Sequence, residues 1–191
     1  MRRSRGRRGF TFIEVMISRT VLVSLLSLAA LWLVGASELW SLSTVESDVR
    51  LRAQQAVNRV VEELRSATRT AAGSPPNAAI PAAPNNFSVT FYLPADLDRN
   101  GFITDANGST EWDALNPVQY AYAAAQGQLV RIAGGQTRVI ATDVSGAIFK
   151  DRSIDATLNA NEIQVAVTLQ RTTVRGRAVS AAATEIVKLR N

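Results

Sequence analysis

The chain has 191 residues, with 21 basic and 16 acidic side chains and neither histidine nor cysteine. The lack of these two residue types excludes thiolate nucleophiles, disulfide frameworks, Cys/His zinc sites and histidine general bases. Five of the basic groups are arginines among the first eight residues, and the rest of the chain carries equal numbers of acidic and basic groups. The net charge of +5 is therefore local and indicates no specific nucleic-acid partner. Because the serines have no histidine to activate them, we do not expect an enzyme.

The arginines directly precede an apolar stretch, residues 10–36, in which only Glu14 and Arg19 are charged. A helix of about 20 apolar residues crosses a bilayer core. The preceding arginines predict a cytoplasmic N-terminus, with everything after Ala36 exported. Two alternatives are a plain signal anchor and a cleaved signal peptide. A signal peptide would have a shorter apolar core than this one, although Val34–Ser37 is similar to a cleavage site.

The carboxylate of Glu14 is unusual within a predicted membrane helix. A charged group at the bilayer centre costs at least ~2.5–3.5 kcal/mol, so it normally has a partner. Arg19 lies five residues later, on a rather different face of the helix. The partner of Glu14 is therefore expected to come from another molecule or from a charge created by processing.

The segment Gly9–Ile17, GFTFIEVMI, resembles the class III signal of type IV pilins and type II secretion pseudopilins, which usually reads GF(T/S)LxE before an apolar run. The resemblance implies cleavage between Gly9 and Phe10 by a prepilin peptidase, followed by N-methylation of the Phe10 amine. Pairing of the Glu14 carboxylate with the Phe10 amine of a neighbouring subunit would then fix the register of assembly. Arg19 departs from the family, which normally has a small apolar residue there.

The helical pattern continues through residues 37–70, where no proline or glycine occurs between Glu38 and Thr70. Apolar residues recur there at three- and four-residue steps, which predicts an amphipathic helix. Charged side chains, among them Glu62 and Glu63, are expected on its solvated face. A coiled coil is the alternative, but the apolar steps do not sustain heptads. The proline-rich residues 71–86 predict an irregular connector.

Short β-type runs separated by turn residues fill residues 87–191. The run Ile163–Leu169 alternates apolar and polar residues, so one face of that strand is expected to be buried. The fold class is therefore expected to be α+β, with a long N-terminal helix packed on a C-terminal antiparallel β-sheet head. This is also the pilin fold that the resemblance implies. The runs expected to form strands are 87–93, 118–124, 128–132, 137–141, 147–149, 162–171 and 178–189.

One loop of the head follows the first half of an EF-hand calcium site. Asp96, Asp98 and Asn100 place oxygen ligands at positions 1, 3 and 5, and Gly101 permits the sharp turn at position 6. Phe102 stands at position 7, where an EF-hand uses a backbone carbonyl. The loop therefore predicts calcium as a cofactor.

Position 12 of this loop is Asn107, where an EF-hand has a bidentate glutamate. Asp105, Glu111 or Asp113 would have to supply that carboxylate if the loop folds differently. The alternative is a polar surface turn that binds no metal.

The domain organisation follows from these segments. The chain divides into a basic leader at 1–9 that is cleaved, a transmembrane or filament-core helix at 10–36, its amphipathic continuation at 37–70, a connector at 71–86 and an exported β-rich head at 87–191. The expected location is the bacterial inner membrane, which the chain crosses once, with the N-terminus cytoplasmic and the head periplasmic.

Two classes of function remain open. The resemblance implies a minor pilin or pseudopilin, most like the J-type minor pseudopilins and W-type minor pilins. Such a subunit joins or primes a filament in type II secretion, a type IV pilus or DNA uptake. Its partners would be other pilins, the prepilin peptidase and the inner membrane. The alternative is a membrane-anchored exported protein whose head binds a ligand or a surface, with calcium ordering its loop.

Overall fold

The computed structural model describes residues 11–67 and 78–189. The predicted leader, the Gly9–Phe10 junction and the first part of the predicted connector lie outside these ranges. The contacts within the chain define two compact units, divided between Ser43 and Thr44.

A single helix, α1, runs from Phe12 to Leu64 and supplies residues to both units. This confirms a helix from Phe12 through the rest of the predicted membrane segment and most of its predicted amphipathic continuation. From Val49 onward, apolar positions at three- and four-residue spacing are buried, as expected for the core-facing side of an amphipathic helix. The buried residues of α1 are Val49, Ala53, Ala56, Val57, Val60, Val61 and Leu64.

The end of α1 lies at Leu64, whereas the helical pattern predicts a helix as far as Thr70. The amides of Ser66 and Ala67 donate to the carbonyl oxygens of Glu63 and Leu64, at 3.1 and 3.0 Å. These bonds span three residues instead of four, so the last turn is tighter than an α-helix and the helix stops there. No proline or glycine marks this point, which explains why the sequence pattern placed the end too late.

Within residues 78–189, seven antiparallel strands follow α1 and form two sheets. The first sheet has the order β1-β2-β3-β4 and the second has the order β5-β6-β7. All seven predicted strand runs are confirmed, and the α+β class with them, although the pattern did not predict the division into two sheets. The strands are β1 Ser88–Phe91, β2 Val118–Ala123, β3 Gln128–Ala133, β4 Gln136–Ala141, β5 Val144–Lys150, β6 Glu162–Thr172 and β7 Ala178–Lys188.

The two sheets are joined along the outer edge of β5. The amide of Val144 donates to the carbonyl of Gly127 at 2.9 Å. Near the other end of the strand, the amide of Phe149 donates to the carbonyl of Asn86 at 2.9 Å. The side-chain amide of Asn86 donates in turn to the Phe149 carbonyl at 2.9 Å. Asn86 is buried, so the bond from its side-chain amide gives an acceptor to a polar group that would otherwise be costly to bury.

Both sheets and the second half of α1 share one hydrophobic core. Its largest side chains include Tyr120, Phe91 and Phe149, each with no exposed surface. The rings of Phe91 and Tyr120 stack with centroids 6.2 Å apart and planes 8° from parallel. Because α1 contributes many of the buried side chains, the strands cannot complete this core alone.

Candidate functional site

The first part of α1 exposes many large apolar side chains. Their exposed fractions range from 48% at Val15 to 81% at Phe12, and Trp32 and Trp40 are exposed at 74% and 79%. None of the residues in the most apolar 18-residue stretch of this helix is buried within the chain. By length and composition the helix is able to cross a membrane, and a signal sequence would meet the same criteria. A surface of this kind indicates a partner that covers it, either lipid or protein.

Three hydroxyl groups of this segment donate to the backbone of the helix itself. Thr20 Oγ1 donates to the Met16 carbonyl at 2.9 Å, and Ser27 Oγ donates to the Val23 carbonyl at 2.8 Å. Ser24 makes the same bond, to the carbonyl of Thr20 at 2.9 Å. Such bonds leave no hydroxyl hydrogen without an acceptor in an apolar environment. These three residues are therefore compatible with lipid.

Glu14 lies in the first turn of α1, where Thr11 precedes the helix. The Glu14 amide donates to Thr11 Oγ1 at 3.3 Å, which is the first half of a capping box. The Glu14 carboxylate is exposed and makes no hydrogen bond or ion pair with any part of the chain that the structure describes. Arg19 is exposed and does not pair with it. The structure thus leaves Glu14 without a local partner, as the sequence indicates, whereas Gly9 and Phe10 lie outside the described residues.

A second candidate site is a group of three carboxylates in the loop between β1 and β2. One oxygen each from Asp96, Asp98 and Glu111 lies within 4.8 Å of the others. Glu111 reaches this loop because its amide donates to the Ile103 carbonyl at 2.9 Å and its carbonyl accepts from the Ala95 amide at 3.1 Å. Of the three possible substitutes for position 12, the structure therefore brings Glu111 to the predicted ligands.

The remaining predicted ligands have other contacts. Asn100 Nδ2 donates to Asp98 Oδ2 at 2.8 Å, and Asn100 Oδ1 accepts from the Phe102 amide at 2.7 Å. The Asn107 amide donates to Asp105 Oδ1 at 2.9 Å, in a separate turn of the loop. Asn107 makes no bond to the three carboxylates within residues 78–189. If the loop binds a cation, we expect Glu111 rather than Asn107 to complete the set of ligands.

The carboxylates of this loop also accept bonds from the backbone. Asp96 Oδ1 and Oδ2 accept from the amides of Asn100 and Gly101, at 3.0 and 2.9 Å. Glu111 Oε2 accepts from the Leu97 amide at 2.6 Å. These bonds hold the oxygens around a common point, as a hard cation requires. They also stabilise a polar turn without a metal, so calcium stays a prediction.

An open groove of about 1060 Å³ lies between α1 and β4, within the second unit. Two of its acidic residues form ion pairs. Asp48 pairs with Arg52 and Arg171, at 2.9 and 2.8 Å, and Glu63 pairs with Arg131 at 2.8 Å. Glu63 was expected on the solvated face with Glu62, and that prediction is wrong for Glu63 because it packs toward β3.

Burial and the Glu63 carboxylate shift two pKa values in the head. Burial raises the pKa of the Tyr120 hydroxyl well above its ordinary value, and the nearby Glu63 carboxylate raises it further. The hydrogen bond to Glu63 raises the pKa of Arg131. Tyr120 therefore stays neutral and Arg131 stays charged at physiological pH.

Two exposed acids near β6 have the opposite shift. The Thr157 hydroxyl, which donates to Asp155, lowers the pKa of that carboxyl. The Asn159 amide does the same for Glu162. Both groups therefore favour their charged form, and each stabilises the turn in which it lies.

No protein-family model, curated protein or solved structure matches this chain. The fold shows one long N-terminal helix, apolar along its first part, followed by antiparallel sheets. This arrangement is compatible with a pilin-like fold. The resemblance rests on residues Gly9–Ile17. The structure describes this motif only from Thr11 onward.

Proposed function

We propose that the chain is a minor pilin or pseudopilin, a structural subunit that joins or primes a type IV pilus-like filament. The observation that carries this proposal is the position of Glu14, a carboxylate that lies in the first turn of an exposed apolar helix and has no partner among the described residues. It lies four residues after the Gly9–Phe10 junction that resembles a prepilin cleavage site.

The physical argument concerns how this carboxylate is neutralised. Processing at Gly9 creates a new amine at Phe10, a positive charge four residues before Glu14 in the sequence. In a low-dielectric layer an unpaired charge is heavily penalised, so the Glu14 carboxylate of one subunit pairs with the Phe10 amine of the next. This pair sets the axial position of each incoming subunit, and no catalysis is involved.

The exposed apolar side chains of α1 suit two environments, the membrane before assembly and the filament core after it. Before assembly, lipid covers them, with the N-terminus cytoplasmic and the head periplasmic. After assembly, the same side chains pack against other helices in the filament core. A type II secretion, pilus or DNA-uptake machine would each use a subunit of this kind.

A second candidate function is a membrane-anchored exported binding protein with a calcium-ordered loop. The observation that favours it is the convergence of Asp96, Asp98 and Glu111 within 4.8 Å. In that case α1 serves as an anchor only, and Glu14 has no role in assembly.

Recruitment into filaments distinguishes the filament subunit from the membrane-anchored binding protein. We expect Glu14→Ala to be processed normally and yet to enter filaments poorly. Its recovery in the sheared filament fraction should fall by a factor of roughly 100 or more, because leaving a buried charge unpaired costs about 3–5 kcal/mol. Glu46→Ala is the matched control, since Glu46 lies on the same helix and forms only an exposed pair with Arg50. Equal recovery of the two variants would overturn the assembly proposal.

A further inference from the structure

Glu14 and Arg19 are the two charged residues of α1 before Glu38, and both lie in its exposed apolar part. Neither forms an ion pair with any part of the chain that the structure describes. A charged side chain within a bilayer normally faces a partner of opposite charge. Each of the two therefore needs a partner from another molecule.

The spacing of the two charges relates them to one face of the helix. Five residues correspond to about 7.5 Å along an α-helix and about 140° around it, so Glu14 and Arg19 do not meet on one helix. They lie on the two sides of a single face, each about 70° from its middle. Val15, Ser18 and Leu22 follow that middle, at the three- and four-residue steps of a helix–helix seam.

This pattern matches a parallel pair of helices. In such a pair the g and e positions of the heptad flank the seam, and ion pairs between them select the partner and its orientation. Position g and the e position of the next heptad are five residues apart. With Val15 at a and Ser18 at d, Glu14 lies at g and Arg19 at the following e. The two charges therefore have the spacing that an in-register parallel pair requires.

The hydroxyl of Ser18 supplies a second observation. The hydroxyls of Thr20, Ser24 and Ser27 donate to carbonyl oxygens four residues earlier, whereas that of Ser18 makes no hydrogen bond among the described residues. A hydroxyl without an acceptor is costly in a bilayer. Small residues and serines are typical of contacts between membrane helices, where the hydroxyl donates across the contact. Ser18 thus indicates a helix partner at the seam itself.

We propose that α1 binds α1 of a second copy of this chain in the membrane, parallel and in register, with Glu14 of each copy against Arg19 of the other. The two-fold axis runs along the helices, so both copies keep one orientation in the membrane. The contact is isologous, and it gives all four charges a partner. Lipid covers the remaining faces of both helices.

The inference goes beyond the proposed function and does not depend on it, because it needs neither cleavage at Gly9 nor the Phe10 amine. It describes the protein before a filament forms, when no processed neighbour neutralises Glu14. Entry into a filament would then exchange one partner of Glu14, the arginine, for another, the amine. The dimer also gives a role to Arg19, which the resemblance to pilins leaves unexplained.

Disulfide cross-linking of the full chain in bacterial membranes tests the seam, since the protein has no native cysteine. Ser18→Cys places two thiols across the seam, and we expect a membrane-permeable oxidant to give a disulfide-linked dimer. Ser27→Cys is the matched control, because residue 27 lies about 180° around the helix from residue 18. It should stay monomeric under the same conditions.

Charge exchange tests the ion pairs. In the Ser18→Cys background, Glu14→Arg alone or Arg19→Glu alone should lower the dimer fraction roughly tenfold, because each brings like charges together. Co-expression of these two variants, with tags of different size, should restore cross-linking as a mixed dimer. In that dimer the two arginines of one copy face the two acids of the other. The mixed dimer would also show that both variants insert into the membrane.

Gly9→Leu in the Ser18→Cys background separates this inference from the proposed function. It blocks processing, yet the dimer fraction should stay unchanged. Equal cross-linking at 18 and 27, or none at either position, would overturn the proposal. So would loss of the dimer in the unprocessed variant, or a dimer fraction at 18 that does not respond to the charge changes, as expected if Arg19 binds lipid phosphate instead.

Discussion

Glu63 on α1 and Arg131 on β3 form an ion pair that connects the helix to the four-stranded sheet. Arg131 Nε lies 2.8 Å from Oε2 and 3.0 Å from Oε1 of Glu63. Their side chains are 28% and 25% exposed, so water screens the pair only partly. The two residues are 68 positions apart in the chain. The pair therefore ties α1 to β3 at this point of the helix.

The first prediction tests this pair. Glu63→Ala leaves the Arg131 guanidinium partly buried without its acceptor, and we expect a loss of about 1–2 kcal/mol in the free energy of unfolding. Glu62→Ala is the control, because Glu62 is exposed and has no partner among the described residues. It should change stability by less than about 0.5 kcal/mol. Urea unfolding of a fragment of residues 44–191 measures both, and equal losses would contradict the account.

The second prediction concerns the hydroxyl of Tyr120. This oxygen is buried and makes no hydrogen bond within 3.5 Å among the described residues, although the Glu63 carboxylate lies near enough to raise its pKa. Removing a buried polar group that lacks a partner relieves its desolvation cost, so Tyr120→Phe should leave stability unchanged or raise it by about 1 kcal/mol. The stacking on Phe91 is kept. Thermal unfolding gives the answer, and a loss above about 1 kcal/mol would mean that the hydroxyl has a partner in solution.

The third prediction tests the packing of α1 on the sheets. Leu64 has no exposed surface, whereas Leu51 on the same helix is 58% exposed. Leu64→Ala should therefore cost about 2–5 kcal/mol of stability. The same change at Leu51 should cost less than about 0.5 kcal/mol. Similar costs at the two positions would show that the helix packs on a different face.

Strand positions and the first part of α1 follow from local pattern, and the structure confirms them. The alternation along Ile163–Leu169 predicts the buried face of β6, because side-chain direction in a strand depends only on its immediate neighbours. The apolar run after Phe10 predicts a helix for a similar reason. A local pattern is sufficient wherever burial repeats with a fixed period.

Contacts between distant residues could not be predicted in this way. Glu62 and Glu63 are neighbours in one charged patch of the sequence, yet only Glu63 meets a strand. Asn86 joins the two sheets through Phe149, 63 residues away, and nothing in its neighbourhood indicates this. In the acidic loop, Asp96 and Asp98 follow a known spacing, whereas the position of Glu111 depends on the bridge between Thr104 and Thr110.

The fourth prediction concerns that loop. Calcium at a hundredfold excess over Kd should stabilise residues 44–191 by about 2.7 kcal/mol, a rise in Tm on the order of 10 °C. Magnesium should do less, since it prefers a tighter octahedral shell and keeps its waters. The double change Asp96→Ala and Asp98→Ala should abolish the shift.

Two single variants identify the residue that closes the loop. Glu111→Gln should remove the calcium shift, whereas Asn107→Ala should leave it, because the three carboxylates converge without Asn107. The measurement is a thermal melt of the unchanged protein with calcium and with chelator. If the two curves superimpose, the loop is a polar turn that binds no calcium.

The central claim is that the N-terminus is processed as in a pilin. Mass spectrometry of the protein recovered from bacterial membranes tests it most directly, because the mass of the N-terminal peptide identifies both the cleavage site and the methyl group. The account predicts a mature chain that begins with N-methylated Phe10, and a Gly9→Leu variant that keeps its arginine-rich leader. An intact Met1, or cleavage after Ala36, would contradict it.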